Sequence, residues 1–92
     1  MIKSYANKDT EALARNINVS RFQAVERMAR RKIAVLNAAP DLPSLAVPPG
    51  NRLEQLKGDR AGQYSIRIND QWRLCFHWKD GHAWDVEICD YH

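Results

Sequence analysis

Residues 63–89 read QYSIRINDQWRLCFHWKDGHAWDVEIC, and the fold is most readily inferred from them. Apolar and polar side chains alternate along it in three runs, at residues 63–68, 72–78 and 83–89. A period of two is typical of strands that bury one face. The short polar segments between the runs, at 69–71 and near 80–82, are long enough for hairpin turns. The stretch therefore predicts a three-stranded antiparallel meander.

The alternation predicts one apolar and one polar face. The apolar face carries Tyr64, Ile66, Ile68, Trp72, Leu74, Phe76, Trp78, Trp84, Val86 and Ile88. The polar face carries Ser65, Arg67, Arg73, Cys75, His77, Asp85, Glu87 and Cys89. Opposed residues must point the same way, which pairs Arg67 with Arg73, Arg73 with Cys89, Cys75 with Glu87, and His77 with Asp85. We expect Trp72, Phe76, Trp84 and Ile88 to be buried, and the polar face to be exposed.

The first half of the chain predicts two helices. A short helical pattern begins near Asp9, with Asn7 or Asp9 as its N-cap, and residues 16–19 interrupt it. Ser20 opens a second helix, with Gln23 completing a capping box. Apolar residues then recur at helical spacing to about residue 37, at Phe22, Val25, Met28, Ala29, Ile33 and Leu36.

The remaining segments complete the fold. Residues 1–5 are suited to a strand tied to the sheet, and residues 52–56 to a short strand before a turn at 57–60. Four prolines and a glycine in residues 40–50 predict a loop without helix or central strand. The expected fold is α+β, a small mixed or antiparallel sheet with two N-terminal helices packed on one face.

Length and composition restrict the class of protein. With 92 residues, a hydrophobic fraction of 45% and a charged fraction of 27%, we expect one domain, 1–92, with one modest core. No stretch approaches a membrane span or the apolar core of a signal peptide. Two cysteines favour free thiols in a reducing cytoplasm. Residues 1–40 have a net charge of +5 and residues 41–92 of −2, which favours a polyanionic partner but is also common in proteins without one.

Several polar residues are candidates for chemistry. The like-charged pair of Arg67 and Arg73 either extends into water or holds a phosphate group between its guanidiniums. Lys57, in a glycine-containing turn, is either a solvated side chain or part of a site. His92, at the end of the sequence, carries an imidazole that exchanges protons at neutral pH.

Other polar residues are given no chemical role. Cys75 and Cys89 lack metal-ligand spacing, so we interpret both as structural and expect no metal site. We expect His77 and Asp85 to form a surface ion pair without function.

Four segments together resemble a known family. They are Leu56-Lys57-Gly58-Asp59-Arg60, Gly62-Gln63-Tyr64-Ser65-Ile66, Trp72-Arg73-Leu74 and Asp90-Tyr91-His92. With the Met1-Ile2-Lys3-Ser4 opening and the order of helix, helix and meander, the chain resembles HigB-type toxins of the RelE superfamily over nearly its whole length. The resemblance implies a toxin of a bacterial type II toxin–antitoxin pair, with a concave basic active face opposite the helices.

The family's activity and partners follow from the resemblance. It implies a ribosome-dependent endoribonuclease that cuts mRNA in the ribosomal A site without a metal ion or cofactor. The 2′-hydroxyl of the substrate attacks the adjacent phosphate. The implied partners are mRNA, the 70S ribosome and a cognate HigA-like antitoxin with a helix-turn-helix fold, in the cytoplasm and without a membrane.

The resemblance also implies residue roles. Lys57 and Arg73 match residues that hold the scissile phosphate and stabilise its developing charge. His92 matches a general acid for the 5′-oxygen. Tyr91 matches a tyrosine that stacks on or orients the substrate. Asp90 is implied as a supporting carboxylate, and we add Arg67 as an RNA-binding residue because it opposes Arg73.

Position 54 departs from the HigB pattern. HigB members read Leu-His-Pro-Leu-Lys-Gly, with a histidine three positions before the lysine, whereas this chain carries Glu54 three positions before Lys57. The YoeB branch is similar in having glutamate there, used as general base, so Glu54 is a candidate base for the 2′-hydroxyl. The alternative is a strand-end carboxylate in a site that has lost catalysis.

Two other classes of protein stay open on the sequence. One is a non-catalytic relative that binds RNA, the ribosome or only its antitoxin. The other is a small DNA-binding protein that uses the arginine-rich face of the second helix, since the apolar side of that helix is needed for the sheet.

Overall fold

The computed structural model describes residues 1–90 and confirms the α+β fold. Its two α-helices are α1 (Lys8–Ala14) and α2 (Glu26–Ala38). Its four strands are β1 (Glu54–Gln55), β2 (Tyr64–Arg67), β3 (Trp72–Lys79) and β4 (His82–Asp90). The strands form one antiparallel sheet in the order β1-β2-β3-β4, so the predicted meander is confirmed and extended by β1.

The N-terminal segment pairs with the outer edge of β4. Ile2 and Tyr5 form parallel bridges with Ala83 and Val86. The Lys3 N–H donates to the Ala83 carbonyl oxygen at 2.8 Å. The expectation that residues 1–5 are tied to the sheet is confirmed. This contact makes the sheet mixed and covers a strand edge that would otherwise offer unpaired backbone groups.

The helix starts differ in their capping. The side chain of Asn7 accepts a hydrogen bond from the Thr10 N–H at 2.8 Å and caps α1. The capping box predicted at Ser20 is wrong, because Ser20–Val25 forms a 3-10 helix without a side-chain cap and the α-helix begins only at Glu26. The 3-10 repeat of three residues per turn places Phe22 and Val25 on the same side, and both are buried.

The proline-rich connection contains two short 3-10 turns, Pro43–Ala46 and Pro49–Asn51. The expectation of a loop without any helix is therefore wrong for these turns, since proline is compatible with the first position of a helix. Asn51 is fully buried and donates through Nδ2 to the carbonyl oxygens of Leu45 and Val47, at 3.2 and 3.3 Å. These bonds hold the connection against the core.

The core lies between the helices and the apolar face of the sheet. The helices bury Leu13, Phe22 and Leu36 against the sheet residues Leu74 and Val86, among others. Phe76 and Ile88 are buried as predicted, whereas Met28 is 42% exposed. Trp72 is only half-buried, and its ring meets that of Phe22 edge to face at 5.4 Å.

The predicted pairing of β3 with its neighbouring strands is confirmed near the start of β3 and wrong near its end. Arg67 pairs with Arg73, Arg73 with Cys89, and Cys75 with Glu87. The pairing of His77 with Asp85 is wrong, because His77 pairs with Trp84 across an irregularity in the ladder. Asp85 has a φ of 53°, which marks a bulge that inserts one extra residue into β4.

The bulge moves Trp84 to the polar face beside His77, and Ala83 is buried in its place. The prediction that Trp84 lies in the core is therefore wrong. The predicted ion pair of His77 and Asp85 is also unsupported, since the Asp85 carboxylate accepts instead from the Ser4 hydroxyl at 3.3 Å.

Neither helix in residues 1–90 has the length and apolar character that crossing a bilayer requires.

Candidate active site

The polar face of the sheet forms one wall of a small cavity, and the turn after β1 forms the other. The cavity has a volume of about 210 Å³. It is lined by Leu56, Lys57, Asp59, Arg60, Ser65, Arg73, Cys75, Cys89 and Asp90. We call it the Lys57 cavity. It brings together three residues singled out in the sequence, Lys57, Arg73 and Asp90.

Lys57 lies on the turn and is exposed. It directly precedes a short 3-10 helix, Gly58–Arg60. Gly58 has a φ of 66°, a conformation that glycine adopts without steric cost. Arg60, at the end of the helix, donates to the Glu87 carboxylate on β4 at 3.2 Å, and this bond raises the pKa of Arg60. The ion pair ties the turn to the sheet and sets the position of Lys57 over the cavity.

Arg73 is 4% exposed, which contradicts the expectation that the polar face is open to water. Its Nε donates to the Ser65 hydroxyl at 2.8 Å, and its Nη2 donates to the Arg52 carbonyl oxygen at 2.6 Å. The turn and β1 cover this part of the face, so the guanidinium is held by hydrogen bonds in a fixed orientation. Arg73 is thus a structural as well as a candidate functional residue.

Glu54 lies on β1 opposite Ser65 and is exposed. One carboxylate oxygen, Oε1, is 3.8 Å from Nη1 of Arg73. Although Glu54 does not line the Lys57 cavity, it contacts a residue that does. A proton acceptor therefore lies at the edge of a cationic cavity.

Asp90 ends β4, and its carboxylate accepts from Gln71 Nε2 at 3.3 Å. The candidate residues Tyr91 and His92 follow it and lie outside the described residues.

The structure does not bring Arg67 into the Lys57 cavity, because its guanidinium contacts the Asp70 carboxylate. Arg67 lines a separate cavity with Met28, Arg31, Lys32, Pro48, Gly50 and Ile68. The role of Arg67 in RNA binding stays a prediction.

Both cysteines line the Lys57 cavity, which the sequence analysis missed. A hydrogen bond with Cys89 lowers the pKa of the Cys75 thiol, with a further contribution from the Arg60 cation. The same hydrogen bond, together with burial, raises the pKa of Cys89. Alternation placed both residues on the face of Arg73, but the covering turn that encloses them has no local sequence signal.

Arg60 and Ser65 are the other residues that sequence reasoning missed. Ser65 is fully buried and orients Arg73, and Arg60 orients the turn that carries Lys57. The predicted register already placed Ser65 on the face of Arg73, so this positioning role had a detectable signal. Arg60 had none, because its partner Glu87 is 27 residues away in the sequence.

The arrangement suits an anion. Three cations line the cavity, Lys57, Arg60 and Arg73, and Arg60 is paired with Glu87. The carboxylates of Asp59 and Asp90 also line it, and Glu54 lies at its edge beside Arg73. Cations with fixed donors stabilise the negative charge that develops on a phosphate during transfer. Among residues 1–90, no group of three or more histidine, cysteine, aspartate or glutamate side chains is placed to hold a metal ion.

Comparisons with known proteins agree on one family. Residues 3–92 match the family model HigB-like toxin, described as the RelE-like toxin of type II toxin-antitoxin system HigB. Endoribonuclease HigB of Proteus vulgaris is 33% identical over 100% of both chains. Toxin HigB-1 of Vibrio cholerae serotype O1 is 47% identical over 60 residues, which are 65% of this chain and 63% of that relative. The chain thus matches less than two thirds of the length of Toxin HigB-1.

Solved structures show the same fold. A chain of the YoeB-YefM complex from Staphylococcus aureus matches with a TM-score of 0.59 and 26% identity, covering 100% of this chain and 95% of that one. YafQ from E. coli strain BL21(DE3) matches with a TM-score of 0.57 over 98% of this chain and 91% of that one, and at 14% identity this likeness concerns the fold alone. From the family match over residues 3–92 and the similarity along the full length of the Proteus vulgaris relative, the chain belongs to the HigB-like family of RelE-like toxins from type II toxin–antitoxin systems.

Proposed function

We propose that this toxin is an endoribonuclease that cleaves mRNA in the ribosomal A site without a metal ion. The observation that carries the proposal is the convergence of Lys57, Arg73 and Asp90 on one cavity, with Glu54 paired to Arg73. Family membership supports it, as does the full-length similarity to a protein named Endoribonuclease HigB.

In the proposed reaction, the 2′-hydroxyl of one nucleotide attacks the adjacent phosphorus. The bond to the 5′-oxygen breaks and leaves a cyclic phosphate and a 5′-hydroxyl. Lys57 and Arg73 bind the phosphate and stabilise the additional negative charge of the transition state. Because Ser65 and the Arg52 carbonyl oxygen already orient Arg73, little reorganisation accompanies this step.

Proton transfer needs a base and an acid. Glu54 accepts the proton of the 2′-hydroxyl, and His92 donates a proton to the leaving 5′-oxygen. Tyr91 orients the substrate, and Asp90 supports the cavity from its border. The roles of Tyr91 and His92 rest on the match of the Asp90-Tyr91-His92 segment to the family pattern.

The ribosome and an antitoxin are the proposed partners. The candidate groups for phosphate binding and proton transfer are few, and they give little means of orienting a flexible strand. A ribosome that holds the mRNA supplies the geometry that the site lacks. Action on translating ribosomes implies the cytoplasm. A chain of related fold occurs in the YoeB-YefM toxin–antitoxin complex, which supports a cognate antitoxin for this chain.

The test compares Lys57→Ala with Lys8→Ala, which removes an exposed lysine on α1 outside the cavity. Each protein is expressed with a reporter mRNA, and primer extension maps the cleavage with and without translation. We expect wild type and Lys8→Ala to cut only the translated mRNA and to arrest growth. Lys57→Ala should neither cut the mRNA nor arrest growth, and its thermal unfolding midpoint should equal that of the wild type.

Two results would contradict the proposal. Efficient cutting of free RNA by the purified protein at physiological salt would remove the requirement for the ribosome. Binding to the antitoxin without any cleavage by the wild type would instead identify a non-catalytic relative.

A further inference from the structure

Trp84 differs from the other two tryptophans in what it contacts. Trp72 and Trp78 pack against the hydrophobic core, whereas Trp84 is half-buried on the opposite face of the sheet. A large aromatic side chain contributes most to stability when it is packed in the core. Packing in the hydrophobic core therefore does not explain the position of Trp84.

A backbone distortion places Trp84 there. From Cys75 to His77 on β3 there are two steps, but from Glu87 to Trp84 on β4 there are three. The extra residue is accommodated at Asp85, whose φ of 53° lies in the left-handed region that aspartate adopts more readily than most residues with a side chain. The Asp85 N–H donates to the Ser4 hydroxyl at 2.8 Å and helps to hold this conformation. Bulges near active sites commonly redirect a side chain.

The redirected side chain lines an open groove of about 590 Å³. We call it the Trp84 groove, and it is lined by His77, Trp78, Lys79, Asp80, Trp84 and Asp85. The indole Nε1 of Trp84 donates to the Lys79 carbonyl oxygen at 3.1 Å. This bond fixes one edge of the ring, so the indole is oriented before any ligand binds.

Two residues of the groove, His77 and Trp84, lie on the face of the sheet that also carries Arg73 of the Lys57 cavity. His77 and Arg73 are on the same side of β3 and four residues apart, which is about 14 Å at ~3.4 Å per residue. A few nucleotides of a single strand, at about 3.4 Å per stacked nucleotide, span that distance. A strand whose phosphate sits beside Arg73 is therefore long enough to reach Trp84 with about four nucleotides.

The charges in the groove select the kind of group that binds. It has one lysine, Lys79, and two aspartates, Asp80 and Asp85, so it does not favour a phosphate. An indole and an imidazole are flat rings on which bases stack in proteins that bind single-stranded RNA. The aspartate carboxylates can accept hydrogen bonds from the amino groups of a base.

We infer that the Trp84 groove binds an unpaired nucleobase of the RNA substrate, stacked on Trp84, a few nucleotides from the bond that is cut at the Lys57 cavity. This inference rests on the proposed function, because it takes the strand at Arg73 to be RNA. It makes Trp84 a substrate-binding residue with no part in proton transfer.

The first test measures kcat/KM for cleavage of ribosome-bound mRNA by wild type, Trp84→Ala and Trp84→Phe. Loss of one base stack corresponds to a decrease of about ten- to a hundredfold for Trp84→Ala. Trp84→Phe, which keeps a ring, should retain most of the activity. Ile17→Ala, which truncates an apolar side chain that is 55% exposed, is the matched control and should match the wild type.

The second test locates the base. A series of mRNAs carries a single abasic nucleotide at successive positions around the cleaved bond. At one position the missing base should slow the wild type but not slow Trp84→Ala any further, since contacting groups are not additive. A series without any such position would overturn the inference.

The outcomes separate this inference from the proposed function. A wild-type protein that does not cleave ribosome-bound mRNA refutes the proposed function. If the wild type cleaves ribosome-bound mRNA and Trp84→Ala is equally active, only the inference about the Trp84 groove is refuted. Weaker antitoxin binding by Trp84→Ala, with cleavage unchanged, would assign the groove to the protein partner and would also overturn the inference.

Discussion

Arg73 combines a buried position with a candidate role in catalysis, so its replacement has two effects. Arg73→Ala leaves the buried Ser65 hydroxyl and the part-buried Arg52 carbonyl oxygen without the donor that Arg73 supplies. We expect the free energy of unfolding to fall by roughly 1–3 kcal/mol and toxicity to be lost. Urea denaturation and growth after induction measure the two effects.

The conservative variant separates the charge from the geometry. Arg73→Lys keeps a positive charge but lacks the planar fork that reaches both Ser65 and Arg52. Its activity should lie between those of wild type and Arg73→Ala. An Arg73→Ala protein as stable as the wild type would contradict the structural role.

Substitution of Glu54 tests whether this carboxylate accepts the proton of the 2′-hydroxyl. Glu54→Gln keeps the shape of the side chain but cannot accept a proton, so the cleavage rate on ribosome-bound mRNA should fall by about 10²–10⁴. Glu54→His should restore part of the activity, since the family pattern carries histidine at this position. The rate is measured under single-turnover conditions.

A matched control accounts for the loss of an ion pair. Glu11 is also a glutamate with an accessible side chain that pairs with an arginine, Arg15, at 3.1 Å, but it lies on α1 and is partly exposed. Glu11→Gln should cut at the wild-type rate. If Glu54→Gln does so too, Lys57, Arg73 and the ribosome carry the reaction without this base.

At the scale of one element, α1 depends on its cap. Asn7 accepts the Thr10 N–H, a donor that would otherwise have no partner within the helix. Asn7→Ala should lower the free energy of unfolding by about 1 kcal/mol. Denaturant titration checks this against Asn18→Ala, an exposed asparagine in the connection after α1, which should change stability by less than ~0.5 kcal/mol. Equal stability of the two variants would contradict the capping role.

The hairpin of β3 and β4 departs from strict alternation near its turn. Strict alternation from Trp72 onward placed Trp84 in the core, but the bulge at Asp85 exchanges it with Ala83. One inserted residue reverses the direction of every side chain beyond it, because the period of a strand is two. The bonds between Ser4 and Asp85 join residues 81 positions apart, so alternation within the strand cannot anticipate them.

For the whole molecule, stability depends on the packing of the helical layer against the sheet. Phe22 is fully buried and meets Trp72 edge to face. Phe22→Ala should lower the free energy of unfolding by about 3–5 kcal/mol. Met28→Ala, six residues later and exposed to solvent, should change it by less than ~0.5 kcal/mol. Urea denaturation of both variants measures the contrast, and a small loss for Phe22→Ala would contradict this description of the core.

Local patterns were sufficient for most of the helices and strands and for most of the sheet register. Period two in residues 63–89 and helical spacing from Phe22 to Leu36 follow from backbone geometry, which acts over a few residues. They led to the correct meander, the correct apolar face apart from Trp84, and the pairing of Arg73 with Cys89. The four matching segments added the family and the roles of Lys57 and Arg73, which were already candidates, and the similarity to the YoeB branch added Glu54.

Contacts between distant segments decided the rest. The burial of Arg73 depends on the turn after β1, which the pair of Arg60 and Glu87 holds over the sheet. The Lys57 cavity exists only because that turn closes over a face that alternation alone would leave open to water. A strand's own sequence specifies which way a side chain points, but what covers that side chain depends on chain segments tens of residues away. For that reason the polar face was predictable, whereas its enclosure and the outward turn of Trp84 were not.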